Sequence, residues 1–424
     1  MTGISALAWR SAWNRRSTLS LVVFSIALST LLLLGLERIR TDVRENFTES
    51  VSGTDLIVGA RTGSIQLLLY AVFHIGSATN NIRMDSLRAI AGYPAVDWIV
   101  PLSLGDSHRG FPVMATSADY FTRFRYGNHR HLELARGRFF DGSLSGLYDT
   151  VIGQEVAEKL HYRLGDRIVL SHGSGSIPGA EHADKPFEVV GILGRTGTPV
   201  DRTVHISLEA MEAIHLDWTA GVPMPGHHIS PEEARNADLT PKLVTAALVG
   251  LKTRAAVFSV QRAVDNYAGE PLMAILPGVA LDELWRIVGA GERAMLAMSA
   301  IVAVVSLAGL ISVVLAGLNE RRRELAVLRS AGASPRQVML LLSIEGLMIT
   351  SLGICLGTLA TFVAILVLGP WLQSLLGIAL TWSAPTPSEC LLLLAILVSG
   401  MAASLVPGWR AYRMSLADGL SPRL

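Results

Sequence analysis

Cysteine is almost missing from this chain of 424 residues: there are two, Cys355 and Cys390. Both fall inside long apolar runs, so the large segment between the first two runs has no disulfide to brace it. That segment, of about 255 residues, is long enough to bury an adequate core without one. Charge of either sign is missing from three apolar windows, Thr18–Leu36, Ala294–Leu318 and Cys390–Val406, and a fourth, Val338–Leu368, holds only Glu345. Each is close to the ~20 residues needed to cross a bilayer. With 50% hydrophobic residues and a mean hydropathy of +0.42, an ordinary soluble protein is excluded. A G-x-x-x-x-G-K-[ST] phosphate loop is also absent; "GSGSIPGA" lacks the lysine and a strand–helix frame. No serine–histidine–acid arrangement, carboxylate pair or cysteine–histidine nucleophile is evident. The formal net charge of +1 gives no reason to expect nucleic acid.

The first window is followed by "LERIR" rather than a small-residue cleavage site, and it is longer than the apolar core of a secretion signal. It is expected to remain as a transmembrane helix. Arginines then set the orientation. Arg10, Arg15 and Arg16 precede the first window; Arg321, Arg322, Arg323, Arg329 and Arg336 follow the second; Arg410, Arg413 and Arg423 follow the fourth. The gap Gly369–Glu389 has no Lys or Arg. Both termini and the arginine-rich gap are therefore expected in the cytoplasm, with residues 37–291 outside.

Within 37–291 the signals are mixed. Short β-branched runs at 55–59, 97–101, 111–116, 167–171, 187–193, 203–207 and 245–251 read as strands. Helical patterns fall at 83–91, 154–160, 208–214 and 254–267. Two long loops, 170–186 and 221–241, are of a length that compact domains seldom keep without a use. From about Leu281 the pattern stays helical into the second window, as in a continuous stalk.

The stretch Leu318–Gly346, "LNERRRELAVLRSAGASPRQVMLLLSIEG", is more elaborate than a topology-setting loop needs. It encodes a short helix over about 319–332, a stop at Gly332, and a restart with Ser334 as N-cap, Pro335 at N1 and Gln337 at N3. This stretch closely resembles the cytoplasmic segment of the MacB/FtsX-type ABC permeases, a mechanotransmission family. "LVPGWRAYRMSLADGLS" (405–421) is similar to the family's closing motif. The resemblance implies a multi-pass protein of the bacterial inner membrane with four transmembrane helices. It divides into residues 1–36, a large α+β periplasmic domain at 37–291 between helices 1 and 2, and residues 292–424. It further implies a homodimer paired with a separate cytoplasmic ABC ATPase, so that this chain needs no cofactor and is not itself an enzyme. Arg321, Arg322, Arg323, Glu324, Leu328 and Arg329 would face the ATPase, or in part membrane lipids. A periplasmic adaptor or substrate-binding protein is a further expected partner. The output would be transport or extraction of a periplasmic or membrane substrate. The alternative is control of a periplasmic enzyme, as in the division members of the family. The segment 55–82 also resembles a Gram-negative subfamily linked to metal-responsive transport.

Three features stand apart. Glu345 is an intramembrane carboxylate, a costly placement, and a structural pairing near the cytoplasmic face is the expected role. Gly353 and Gly357 form a G-x-x-x-G that fits packing against the second helix or a dimer mate. All eleven histidines lie between His74 and His228. None of their spacings, including His129/His131 and His227/His228, is a recognised zinc pattern, so no metal ligands are expected.

Overall fold

The computed structural model describes residues 16–76, 80–173, 181–219, 222–223, 229–320, 327, 329–330, 332–376 and 384–413. Two compact units emerge, Met1–Val43 with Val288–Leu424, and Arg44–Ile287. The second is the sheet domain.

Among the described residues the main sheet of this domain has eleven strands: β1 (Leu56–Ala60), β2 (Val96–His108), β3 (Phe111–Thr116), β4 (Leu134–Gly137), β5 (Asp149–Ile152), β6 (Arg167–Ile168), β7 (Ser171–His172), β8 (Phe187–Leu193), β9 (Val204–Ser207), β10 (Ala246–Leu251) and β11 (Leu272–Ile275). Their order is β11-β1-β10-β2-β3-β9-β5-β8-β4, with β7 beside β2 and β6 beside β8. The pairs β5/β8 and β3/β9 are parallel and the others antiparallel.

Side chains alternate between two separate cores, as the period of two requires. Leu56, Val58, Val113, Ala115, Ala247 and Val249 point into one. Ile57, Met114, Ala246 and Leu248 point into the other. Each face is covered by helices. Met84–Ala91, Val257–Asp265 and α2 (Leu208–His215) serve the first. Ser64–Ala71 serves the second, burying Leu67, Leu68, Tyr70 and Ala71. Residues 64–76, "SIQLLLYAVFHIG", begin as this core helix.

Among the described residues four helices are long and apolar enough to cross a membrane: α1 (Arg16–Glu49), α3 (Pro277–Glu320), α4 (Pro335–Leu376) and α5 (Pro387–Arg413). In the helical unit Leu19, Val22, Val23 and Ile26 of α1 pack with Leu310 and Val314 of α3, Val338, Leu342 and Ile349 of α4, and Ala403 of α5. Small residues let the backbones close in. A Cβ at Gly353 would stand 2.6 Å from Ile26 Cγ2, and one at Gly357 only 2.5 Å from Thr30 Cβ and 2.6 Å from the Ala27 carbonyl oxygen. The nearest neighbours of the glycine pair are thus on α1; the sequence pattern itself fitted the second helix or a dimer mate. Gly346 faces Ser404, and Gly400 faces Thr350.

Polar contacts stitch the same unit. Ser29 and Ser306 share a hydrogen bond at 2.8 Å. Arg38 bridges to Glu389 at 3.3 Å and to Asp42 at 3.4 Å, with all three side chains buried. Arg40 reaches Glu37 and Glu292, each at 3.1 Å.

Candidate functional site

The turn into α4 has a defined construction. Gly332 takes a left-handed φ of 99°, a conformation glycine adopts without steric cost, and its N–H donates to the Arg329 carbonyl at 3.1 Å. Next, the Ser334 N–H donates to Gln337 Oε1 at 2.8 Å, while the Gln337 N–H donates to Ser334 Oγ at 3.4 Å. These two bonds satisfy helix-start donors reciprocally. Pro335 opens α4, where no intrahelical partner is needed. Arg321, Arg322, Arg323, Glu324 and Leu328 lie outside the described residues. Glu345 is buried in α4 and lines an apolar groove of about 1200 Å³ with Leu19, Val23, Ala27 and Leu352.

A second constellation lies in the sheet domain, and sequence spacing did not reveal it. Asp106, His172, His182 and His215 each offer one ligand atom, and those atoms lie within 4.8 Å of one another. Four separate segments supply them. In β2 the register shifts between Leu104 and Asp106, a bulge of the kind that re-aims a side chain. Asp106 is then directly opposite His172 of β7. Beyond the β7 loop the chain returns alongside, with Ser171 bridged to Glu181 and the His182 N–H donating to the Leu170 carbonyl at 2.9 Å. His215 closes α2, whose start is capped by Ser207 Oγ accepting from the Ala210 N–H at 3.1 Å.

The loop bearing His182 is tied down by Lys185. This lysine is fully buried and donates to both oxygens of Asp217, at 2.9 and 3.0 Å. Trp218 follows immediately, its ring 4.4 Å from that of His182 and 5.5 Å from that of His172.

His172 Nδ1 stands 3.0 Å from Asp106 Oδ1 and 3.1 Å from His215 Nε2. His182 Nε2 is 3.7 Å from Asp106 Oδ2, and His215 Nε2 is 3.7 Å from Asp106 Oδ1. The other nitrogen of His215, Nδ1, is 2.8 Å from the Met211 carbonyl. A carbonyl only accepts, so Nδ1 carries a proton, and Nε2 is the nitrogen turned toward the cluster. Burial pushes the His182 imidazole down to about 4, outweighing the pull of Asp106, while His215, His172 and Lys185 push it the same way. His182 is therefore neutral near pH 7. His172 moves upward from the usual value because it bonds to Asp106. By contrast, His129 and His131, weighed as a pair from the sequence, do not join the cluster, and His227 and His228 lie outside the described residues. Local spacing cannot register side chains brought together from a strand pair, a loop and a helix end.

Residues 18–267 match the MacB-like periplasmic core domain, and residues 296–416 match the FtsX-like permease C-terminal region. Among solved structures, the periplasmic region of MacB from Actinobacillus actinomycetemcomitans is similar at 10% identity. That match covers 56% of this chain and 97% of the other, with a TM-score of 0.33. The extracellular domain of the noncanonic ABC-type transporter YknZ from Gram-positive bacteria is similar at 14% identity, covering 52% and 99%, with a TM-score of 0.30. No curated protein matches the chain. With the sheet domain accounted for by one family region and the last three long helices by the other, this multi-pass membrane protein belongs to the MacB/FtsX-type family of ABC-transporter permeases.

Proposed function

We propose that this chain is the non-catalytic permease subunit of an ABC complex in a bacterial inner membrane, present in two copies. It couples ATP hydrolysis on separate cytoplasmic subunits to movement of its own periplasmic sheet domain. ATP binds the partner, and this chain needs no cofactor of its own for that coupling. Arg321, Arg322, Arg323, Glu324, Leu328 and Arg329 form the surface that meets the ATPase. The observation that carries the reading is the capped restart at Ser334–Gln337. A helix start fixed by two reciprocal bonds passes a push on the preceding turn into α4 without first unwinding. Charge placement supports the orientation, because the arginines flank this turn and both termini, and the opposite gap has none.

The output is transport or extraction of a periplasmic or membrane substrate, assisted by a periplasmic adaptor or binding protein. A metal-linked role for the complex draws on a specific observation, the three histidines and the aspartate gathered in the sheet domain. Copurification from the native membrane tests the coupling. Reversing Arg321, Arg322 and Arg323 to Glu should abolish ATPase recovery while leaving insertion intact. Undiminished recovery of the ATPase would refute the assignment.

A further inference from the structure

The four-residue cluster has a second property, independent of its convergence. His182 is fully buried, yet neither of its ring nitrogens finds a hydrogen-bond partner among the described residues, and Asp106 Oδ2 is in the same position. Unsatisfied buried polar atoms are uncommon and typically cost about 1–3 kcal/mol each. Here they occur together, on two residues whose free atoms point at each other across 3.7 Å. His172 Nδ1 has at most one proton to share between Asp106 Oδ1 and His215 Nε2.

We propose that Asp106, His172, His182 and His215 form a binding site for a divalent cation of the zinc class. A tetrahedral ion with N and O ligands at ~2.0–2.1 Å holds those ligands about 3.4 Å apart; contacts among these side chains, taking either Asp106 oxygen, run from 3.0 to 3.7 Å, and the four ligand atoms all lie within 4.8 Å of one another. Three imidazoles and one carboxylate suit zinc and its borderline neighbours better than calcium or magnesium, which take oxygen ligands. The ion would satisfy His182 Nε2 and Asp106 Oδ2, the pair that face each other across 3.7 Å; it would not reach His182 Nδ1. The supporting contacts are those that such a site needs: His215 Nδ1 donates to the Met211 carbonyl, and the buried Lys185–Asp217 pair fixes the loop that carries His182. Bound there, the ion ties the β7–β8 loop and the end of α2 to β2. Exchange with solvent runs through the rim, where the His172 and His215 side chains are 34% and 26% exposed. Binding of the ion does not depend on an ATPase engaging the helical unit.

The test uses the full chain in detergent, stripped with a chelator and titrated with Zn²⁺ against a chromophoric competitor, and separately with Co²⁺. One equivalent should bind saturably, Co²⁺ should give the intense visible bands of tetrahedral coordination, and fluorescence from Trp218 should change. His215→Ala and His172→Ala alter partly exposed side chains and should keep the fold. Each should weaken binding by about 100-fold or more, beyond the ~10–100-fold of a merely supporting residue. His182→Ala should do the same, with its melting curve as a check on folding. His131→Ala, an exposed histidine, should bind like the unaltered chain. Absence of saturable binding, wild-type affinity in His215→Ala, or loss only on changing His227 and His228 would each overturn the proposal.

Discussion

The sheet domain and the helical unit answer different solvents. In the sheet domain large apolar side chains alternate into two cores, and Phe187, Leu56, Ile57 and Ile90 are almost completely hidden. In the helical unit many large apolar residues face outward: Leu21, Phe24, Val304, Val367 and Leu391 are all more than half exposed. The interior there combines one apolar cluster of Leu, Val and Ile side chains with glycine, serine and threonine contacts and buried ion pairs. Water drives apolar groups inward. A bilayer provides no such drive between helices, so close backbone approach and polar contacts take over.

The same substitution should therefore have opposite weight in the two regions. Phe187→Ala removes a ring that is fully buried and set edge-on to Tyr148 at 5.5 Å. It should cost about 3–5 kcal/mol. Phe24→Ala, on a ring 65% exposed, should stay within about 0.5 kcal/mol. Thermal unfolding of the purified chain measures both, and comparable losses would erase the distinction.

The buried charges of the helical unit come next. Arg38→Leu withdraws the cation from Glu389 and Asp42 and leaves carboxylates behind in a buried setting, which typically costs about 3–5 kcal/mol. Arg38→Leu combined with Glu389→Leu should recover part of that loss if the pair is the origin. A double-mutant cycle showing no coupling would assign the cost to Arg38 packing alone.

Much of the fold was legible because local pattern and final environment agree. The run at 187–193 is β8, and the four apolar windows lie inside the four long helices. The failures have physical causes. The run 167–171 divides because its two halves pair with different partners, β6 with β8 and β7 with β2. Strand β5 opens on Asp149 and Thr150, and β11 reads "LMAI", equally good for a helix; only pairing makes them strands. The capped start at Ser334 can be read in four consecutive residues. The His172–His182–His215–Asp106 cluster cannot, since a bulge, a cross-strand register and a helix end must all be in place first. The nearest hint was a long loop with a histidine at each end.

Glycine gives a finer comparison within one helix pair. At Gly357 an added methyl collides with Thr30 and the Ala27 carbonyl, whereas at Gly35 it meets nothing within 4 Å. Gly357→Ala should destabilise by about 1–3 kcal/mol through overpacking of α1 against α4. Gly35→Ala should be neutral or stabilise by up to about 1 kcal/mol, through helix propensity alone. Equal effects would mean that the α1–α4 approach is not set by the small residue.

The smallest expected effect separates the two regions by pH. All eleven histidines belong to the segment His74–His228, so a titration through the histidine range reports on the sheet domain. Burial pushes His205 down to about 3 and His74 down to about 4. Their unfolded counterparts titrate near 6.5. Below that value the unfolded chain binds protons that the folded chain refuses, so stability falls as pH drops from about 6.5 toward 4 and is flat above about 7.5. His205 contacts the Val151 carbonyl at 3.1 Å and lies among Tyr120 and Phe121. His205→Phe keeps the ring volume and removes the titration. In the presence of chelator, it should flatten the acid slope of the melting temperature even while lowering its plateau. An unchanged slope in that variant would place the acid sensitivity on other groups.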